Sequence, residues 1–299
     1  MPPTASYLFL NNLRFHYRDW GGEGQPLVQL HGLASNARIW DLVAPTLAQH
    51  FRVLALDQRG HGLTDVPGDG YDFLTVVRDL HAFIETLDLQ RPILVGHSWG
   101  ANTVLQYAAT RPAIPAGIVL VDGGLAELSS VPGTTWEKAE AMLTPPDLDG
   151  MPREEFLERL RGWMGDMYSD ENAGIVLANF ALGEDDALRR RLPIPLHMRI
   201  ARAIYEQKPS EFYPRLRCPA LLCPAVPPLE APRSGAKGTP RDERSEQFLA
   251  LKREGIARAE QANPLVRTVW FDDTVHDVPL HRPAKLAKAI ADFGLAIAD

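Results

Sequence analysis

The sequence has little cysteine, no long apolar run and no basic excess, and each lack excludes a class of protein. Two cysteines in 299 residues cannot build a disulfide framework. Cys218 and Cys223 bound the segment CPALLC, a strand by pattern, on which they would face opposite sides. No apolar stretch approaches the ~18–20 residues that span a bilayer, so no membrane partner is expected. The net charge of −7, from 31 Lys+Arg against 38 Asp+Glu, gives no clustered basic surface for phosphate backbones and disfavours a nucleic-acid partner. Metal-ligand spacings and phosphate-cradling glycine patterns are missing too, so no cofactor or metal is expected. The N-terminal MPPTASYLFLNNLRFHYRDW lacks the charged-then-apolar order of a signal peptide, which points to a reduced, cytoplasmic, soluble protein. What is present, 45% hydrophobic and 23% charged residues, suits a globular chain long enough to bury a sizeable core.

Short apolar runs ending in Gly, His or Asp recur along the chain: Leu27–Leu30, Val53–Asp57, Ile93–His97, Ile118–Asp122, Ala220–Pro224 and Val266–Phe271. Such runs read as strands buried on both faces. Helices are expected between them at Ala37–Gln49, Leu74–Leu87, Ala101–Ala109 and Pro283–Phe293, and this alternation implies an α/β protein with a mostly parallel sheet. Ahead of it, Tyr7–Leu10 and Leu13–Asp19 flank Asn11-Asn12 as a tight hairpin. Two segments break the rhythm. Gly123 to about Leu216 offers no convincing strand and reads as an inserted helical subdomain rich in large apolar groups. Ala225–Thr239, rich in Pro and Gly, reads as a mobile loop, and Arg241–Gln261 as a charged, solvated helix.

The sharpest motif is Gly96-His97-Ser98-Trp99-Gly100, set between a strand and a helix. A serine on so tight a turn must adopt strained backbone angles, and small flanking residues let neighbouring segments close around it. The turn lifts the Ser98 hydroxyl above the sheet at a helix N-terminus, where an anion is favoured. A hydroxyl is a poor nucleophile until a base takes its proton. Of nine histidines, His276 follows the last strand and so falls at the same carboxyl edge as Ser98. His281, close behind at a helix start, reads as solvated. His31-Gly32-Leu33 forms a loop at that edge, so the N–H groups of Leu33 and Trp99 are the natural oxyanion donors, with His31 bracing the loop.

In order, HGLASN, LDQRGHGLTD, GHSWGAN, VDGG, a helical insertion and VHDVPLHRP resemble the α/β-hydrolase superfamily over nearly the whole chain. The resemblance implies a mostly parallel eight-stranded sheet flanked by helices, with a helical cap inserted after strand six. The boundaries would be 1–123 for the first part of the core, 124–216 for the cap and 217–299 for the rest of the core, with a loop–helix excursion at about 225–262. It also implies Ser98 as nucleophile, His276 as base, and Leu33 and Trp99 as oxyanion donors. Asp57–Gly62 matches a turn that is usually structural in the family.

The chain departs from the family at the triad acid, which usually follows strand seven. That strand here runs into PAVPPLE, without an aspartate. Asp122, ending strand six, is favoured because some α/β-hydrolases take their acid from that position and a rigid element holds geometry better than a loop. Glu230 stands as the alternative. Epoxide hydrolases and haloalkane dehalogenases of this fold attack with an aspartate, whereas a serine implies an acyl-enzyme intermediate. The expected function is hydrolysis of a small apolar carboxylic ester, with a C–C, lactone or amide acyl hydrolase or a weakly hydrolytic ligand-binding relative as alternatives. His31 and Trp99, with Trp136 and Trp163 of the insertion, are the candidates to wall the substrate pocket.

Overall fold

A computed structural model describes residues 2–131, 133–233, 236–240 and 243–298. The chain opens on β1 (Thr4–Leu10) and β2 (Leu13–Gly21), joined through Asn11 and Asn12 at φ 48° and 64°. Two consecutive positive φ values define the turn whose twist suits a two-residue hairpin, and asparagine tolerates them. Next come β3 (Pro26–Leu30), a 3-10 turn at Ala37–Trp40, α1 (Ala44–Leu47), β4 (Arg52–Leu56) and α2 (Phe73–Thr86). The single helix expected over Ala37–Gln49 is therefore broken. Pro45 lies inside the first turn of α1 and can donate no hydrogen bond to the preceding turn. Then follow β5 (Ile93–His97), α3 (Trp99–Thr110) and β6 (Gly117–Val121).

Between β6 and the next strand of the main sheet lie α4 (Trp136–Leu143), α5 (Arg153–Met164), α6 (Asp170–Leu177), β7 (Phe180–Leu182), β8 (Leu188–Arg190) and α7 (Ile194–Glu206). The hairpin β7–β8 corrects the strandless reading of this segment. Three-residue strands are too short to leave a period-2 signature; the visible signal was the polar Gly183–Asp186 turn, where Asp186 takes φ 54°. The chain finishes with β9 (Ala220–Cys223), β10 (Glu230–Arg233), β11 (Ala236–Pro240), α8 (Glu243–Ala262), β12 (Val266–Thr268), α9 (Val278–His281) and α10 (Pro283–Ala298). The segment expected as a loop thus contains the antiparallel pair β10–β11. Pro232 falls at its register shift, where no ladder N–H is required. Arg241 lies outside the described residues.

The main sheet runs β1-β2-β4-β3-β5-β6-β9-β12, antiparallel at the first edge and parallel from β3 and β4 onward. Successive strand residues feed two cores. Val53, Ile93, Val95, Val119, Leu221 and Cys223 face one, whereas Leu54, Leu94, Ile118, Leu120, Ala220 and Leu222 face the other. Cys218 and Cys223 do sit in opposite cores. Burial on both faces is why these strands read as unbroken apolar runs. Their carboxyl ends converge on one edge, which carries the site.

Candidate active site

Ser98 sits between β5 and α3 at φ 53° and ψ −119°, a backbone region that side-chain-bearing residues rarely enter. Its N–H donates to the Val121 carbonyl of β6 at 2.9 Å. The flanking glycines are required by close approach. A Cβ on Gly100 would stand 2.6 Å from the carbonyl oxygens of Leu30 and His31, and one on Gly96 would collide with the Gly100 carbonyl.

His276 lies in the loop before α9 and leaves 55% of its side chain exposed. Its Nδ1 is 2.7 Å from Asp122 Oδ2, so a proton on Nδ1 is donated to the carboxylate and Nε2 keeps the lone pair. Its carbonyl accepts from buried His97 Nε2 at 2.9 Å and from the Val278 N–H at 2.8 Å, which fixes the loop. Among the described residues, Ser98 Oγ and His276 share no hydrogen bond but line the same cavity. Contacts of this kind are commonly long before substrate binds.

Asp122 is buried at the end of β6, at φ 46°. Its Oδ1 accepts from the Ala225 N–H at 2.9 Å and from Lys252 Nζ at 2.6 Å, leaving Oδ2 for His276. Burial pushes the Asp122 carboxyl up, yet hydrogen bonds and charge from His276 and Lys252 outweigh it and hold the pKa far below the usual range. For His276 the signs invert: desolvation lowers the pKa, Asp122 raises it more, and the net shift is upward. Glu230 opens β10, and the position of its carboxylate lies outside the described part of the structure.

Leu33 and Trp99 bracket the serine. Trp99 is the first residue of α3, so its N–H has no carbonyl one turn back within the helix. Among the described residues, the Leu33 N–H donates to no backbone carbonyl either. Two buried histidines shape the Leu33 loop. His31 Nδ1 donates to the Gly32 carbonyl at 2.7 Å and Nε2 accepts from the Gln58 N–H at 3.0 Å. His61 Nε2 accepts from the Ala34 N–H at 3.2 Å, and burial pulls its pKa down to about 3, so it stays a neutral acceptor. His31 lies where a loop brace belongs.

The cavity against Ser98 and His276 holds about 190 Å³ and is lined by Leu33, Ile39, Ile175, Val176, Asn179 and Leu280, among others. Its outer wall comes from α6 and the residues after it, tied down by Asn36 Nδ2 on the Ile175 carbonyl (3.2 Å) and Arg38 on the Gly174 carbonyl (3.1 Å). None of the four side chains expected in the wall lines it. Trp136 packs on Tyr205 beneath the Arg202 guanidinium, and Trp163 is 48% exposed beside Phe156. His31 and Trp99 are buried behind the loop, with Trp99 against His61. Trp99, Trp136 and Trp163 serve local packing, and His31 holds the loop through its hydrogen bonds. His281, expected in solvent, has Nδ1 accepting from the Val275 N–H at 3.1 Å and helps pin the His276 loop.

Lys252 is the residue that sequence reasoning missed. It is buried on α8, the helix expected to be solvated. The signal was its register: Leu249, Lys252, Ile256 and Ala259 share one helix face and all are buried. Among the described residues, no group of three or more His, Cys, Asp or Glu side chains could hold a metal ion, and no helix is long and apolar enough to cross a membrane.

The model of the alpha/beta hydrolase fold family matches residues 25–179, and the chain belongs to that family. A non-heme chloroperoxidase of Streptomyces lividans is 37% identical over 145 residues, 48% of this chain and 48% of that protein. A 2-(acetamidomethylene)succinate hydrolase of Mesorhizobium japonicum is 37% identical over 101 residues, 34% of this chain and 36% of the relative. The matched stretch thus spans about a third to a half of these relatives' length. In three dimensions the chain is similar to E-2-(acetamidomethylene)succinate hydrolase, with a TM-score of 0.75, 22% identity and coverage of 97% of this chain and 98% of that one, a likeness of fold.

Proposed function

We propose that this protein is a serine hydrolase that cleaves a small, largely apolar carboxylic ester through an acyl-enzyme. The observation that carries the reading is one cavity holding strained Ser98 and a His276 whose Nδ1 is anchored on Asp122. His276 Nε2 takes the Ser98 proton as Oγ attacks the ester carbonyl, and the Leu33 and Trp99 N–H groups receive the developing oxyanion. His276 then protonates the leaving alcohol, and water activated by the same nitrogen releases the acid. Asp122 stays ionised throughout and stabilises the imidazolium. Residues 124–216 act as the cap that selects substrate, through Ile175, Val176 and Asn179. The relative named as a 2-(acetamidomethylene)succinate hydrolase makes cleavage of another acyl bond, an amide among them, the second reading.

A cavity near 190 Å³ falls below the ~300–1,000 Å³ of sites for drug-sized ligands. Short p-nitrophenyl esters are therefore expected to be turned over at least about tenfold faster than octanoate or longer, because acyl carbons beyond the space available must displace Ile175, Val176 or Leu280, and overpacking costs roughly 1–3 kcal/mol. A Ser98→Ala blank separates enzymic from background hydrolysis. A flat profile, or one rising with chain length, contradicts the small-substrate reading.

The pH dependence follows from His276. Only the neutral ring accepts the serine proton, so kcat/KM is lost as pH falls through the His276 pKa. Because that pKa is raised by Asp122, the acid limb is expected above the ~6.5 of free imidazole. An acid limb below that value, in a pH–rate profile on p-nitrophenyl acetate, contradicts an Asp122-paired base.

A further inference from the structure

The excursion after β9 occupies the place where the family's usual acid is missing, and it delivers a buried cation instead. α8 lies hard against the loop after β6. A Cβ on Gly255 would land on the Leu125 carbonyl oxygen, so only glycine permits this approach. One helical turn before Gly255, on the same buried face, Lys252 reaches Asp122 Oδ1 at 2.6 Å and the Ala225 carbonyl at 2.7 Å. Its side chain is 6% exposed and that of Asp122 4%. A buried ammonium is costly unless it is paired and hydrogen-bonded. Here both of its described partners are parts of the device that holds His276: the carboxylate itself and the residue whose N–H also binds that carboxylate.

We propose that Lys252 is a positioning residue of the site, fixing the Asp122 carboxylate toward His276 and placing a second cation where it opposes the imidazolium. The inference rests on reading Ser98, His276 and Asp122 as a triad. It gives α8 a function, since the helix supplies from the excursion after β9 a charge that holds an acid displaced to the end of β6. Among the described residues, four charged or titratable groups face His276. His97 of β5 has its ring centroid 4.9 Å away and, with its pKa pulled down to about 4 by burial and by the His276 charge, is neutral when His276 titrates. Asp122 of β6 and Asp277 of the same loop favour the imidazolium, and Lys252 of α8 disfavours it. Removing the Lys252 charge while a donor still holds Asp122 therefore leaves the imidazolium less opposed, so the ring keeps its proton to higher pH.

The test is an NMR titration of the His276 imidazole, assigned by its disappearance in His276→Gln, in the wild type, Lys252→Met and Lys252→Gln. Lys252→Gln, which deletes the charge but keeps a donor on Asp122, is expected to titrate at higher pH than wild type and than Lys252→Met, where the loosened carboxylate also gives up part of its hold on the imidazolium. In parallel, kcat/KM on p-nitrophenyl acetate at neutral pH should fall about 10- to 100-fold in Lys252→Met as the carboxylate loses its restraint. Lys252→Gln, which still donates to Asp122, should fall less, and it carries the charge deletion should the methionine variant not fold. A folded Lys252→Gln with an unmoved or lowered His276 titration overturns the proposal, because a purely structural lysine would change rate or stability without moving the proton. The titration needs no turnover. Absence of Ser98-dependent hydrolysis in the wild type therefore counts against the triad, and an unmoved titration counts against Lys252.

Discussion

Ser98→Gly is expected to lose catalysis almost completely while raising stability. Without the hydroxyl no acyl-enzyme forms, and kcat should drop on the order of 10⁶-fold, leaving only what the oxyanion donors provide. The backbone at φ 53° and ψ −119° burdens a serine but suits glycine. Relief of about 1–3 kcal/mol of strain should raise Tm by several degrees in a domain of this size. Calorimetry beside p-nitrophenyl acetate hydrolysis reads both effects. An inactive variant with unchanged or lower Tm would show that the turn is not strained by its role. Retained turnover would remove Ser98 from the chemistry.

The second large effect belongs to Asp122→Asn, for which kcat should fall by about 10⁴-fold. Asparagine tolerates the positive φ of 46° at this position, so the turn survives. An amide donor facing Nδ1, however, favours the tautomer with its proton on Nε2, which cannot accept from serine. The variant should also lose about 3 kcal/mol of stability, since Lys252 stays buried without its counter-charge. Glu230→Gln should keep turnover within about twofold, the ordinary scale of substitutions away from a site. Full turnover in Asp122→Asn, or collapse in Glu230→Gln, would reverse the choice of acid.

Much of this was legible because the sheet is buried on both faces. Its strands stand out as apolar runs, and their punctuation marks the carboxyl edge. Ser98 could be placed there by its motif and His276 by chain order, while the preference for Asp122 over Glu230 came from the resemblance to relatives whose acid ends strand six and from the rigidity of that element. What escaped was set by tertiary contact. A lysine within an apolar helical stripe looks like solvated charge until the partner 130 residues away is in place. The cavity wall fell to Ile175 and Val176, ordinary aliphatics without a motif, while Trp136 and Trp163 were conspicuous only by size. Pro45 broke a helix whose apolar periodicity continued through it.

The most direct measurement is intact mass with peptide mapping after exposure to a fluorophosphonate, which phosphonylates only a serine activated by its own base. The wild type should gain one adduct, mapped to Ser98. Ser98→Ala should gain none, and His276→Gln should react far more slowly. Failure to label, or an adduct mapped elsewhere, would contradict a nucleophilic Ser98 served by His276.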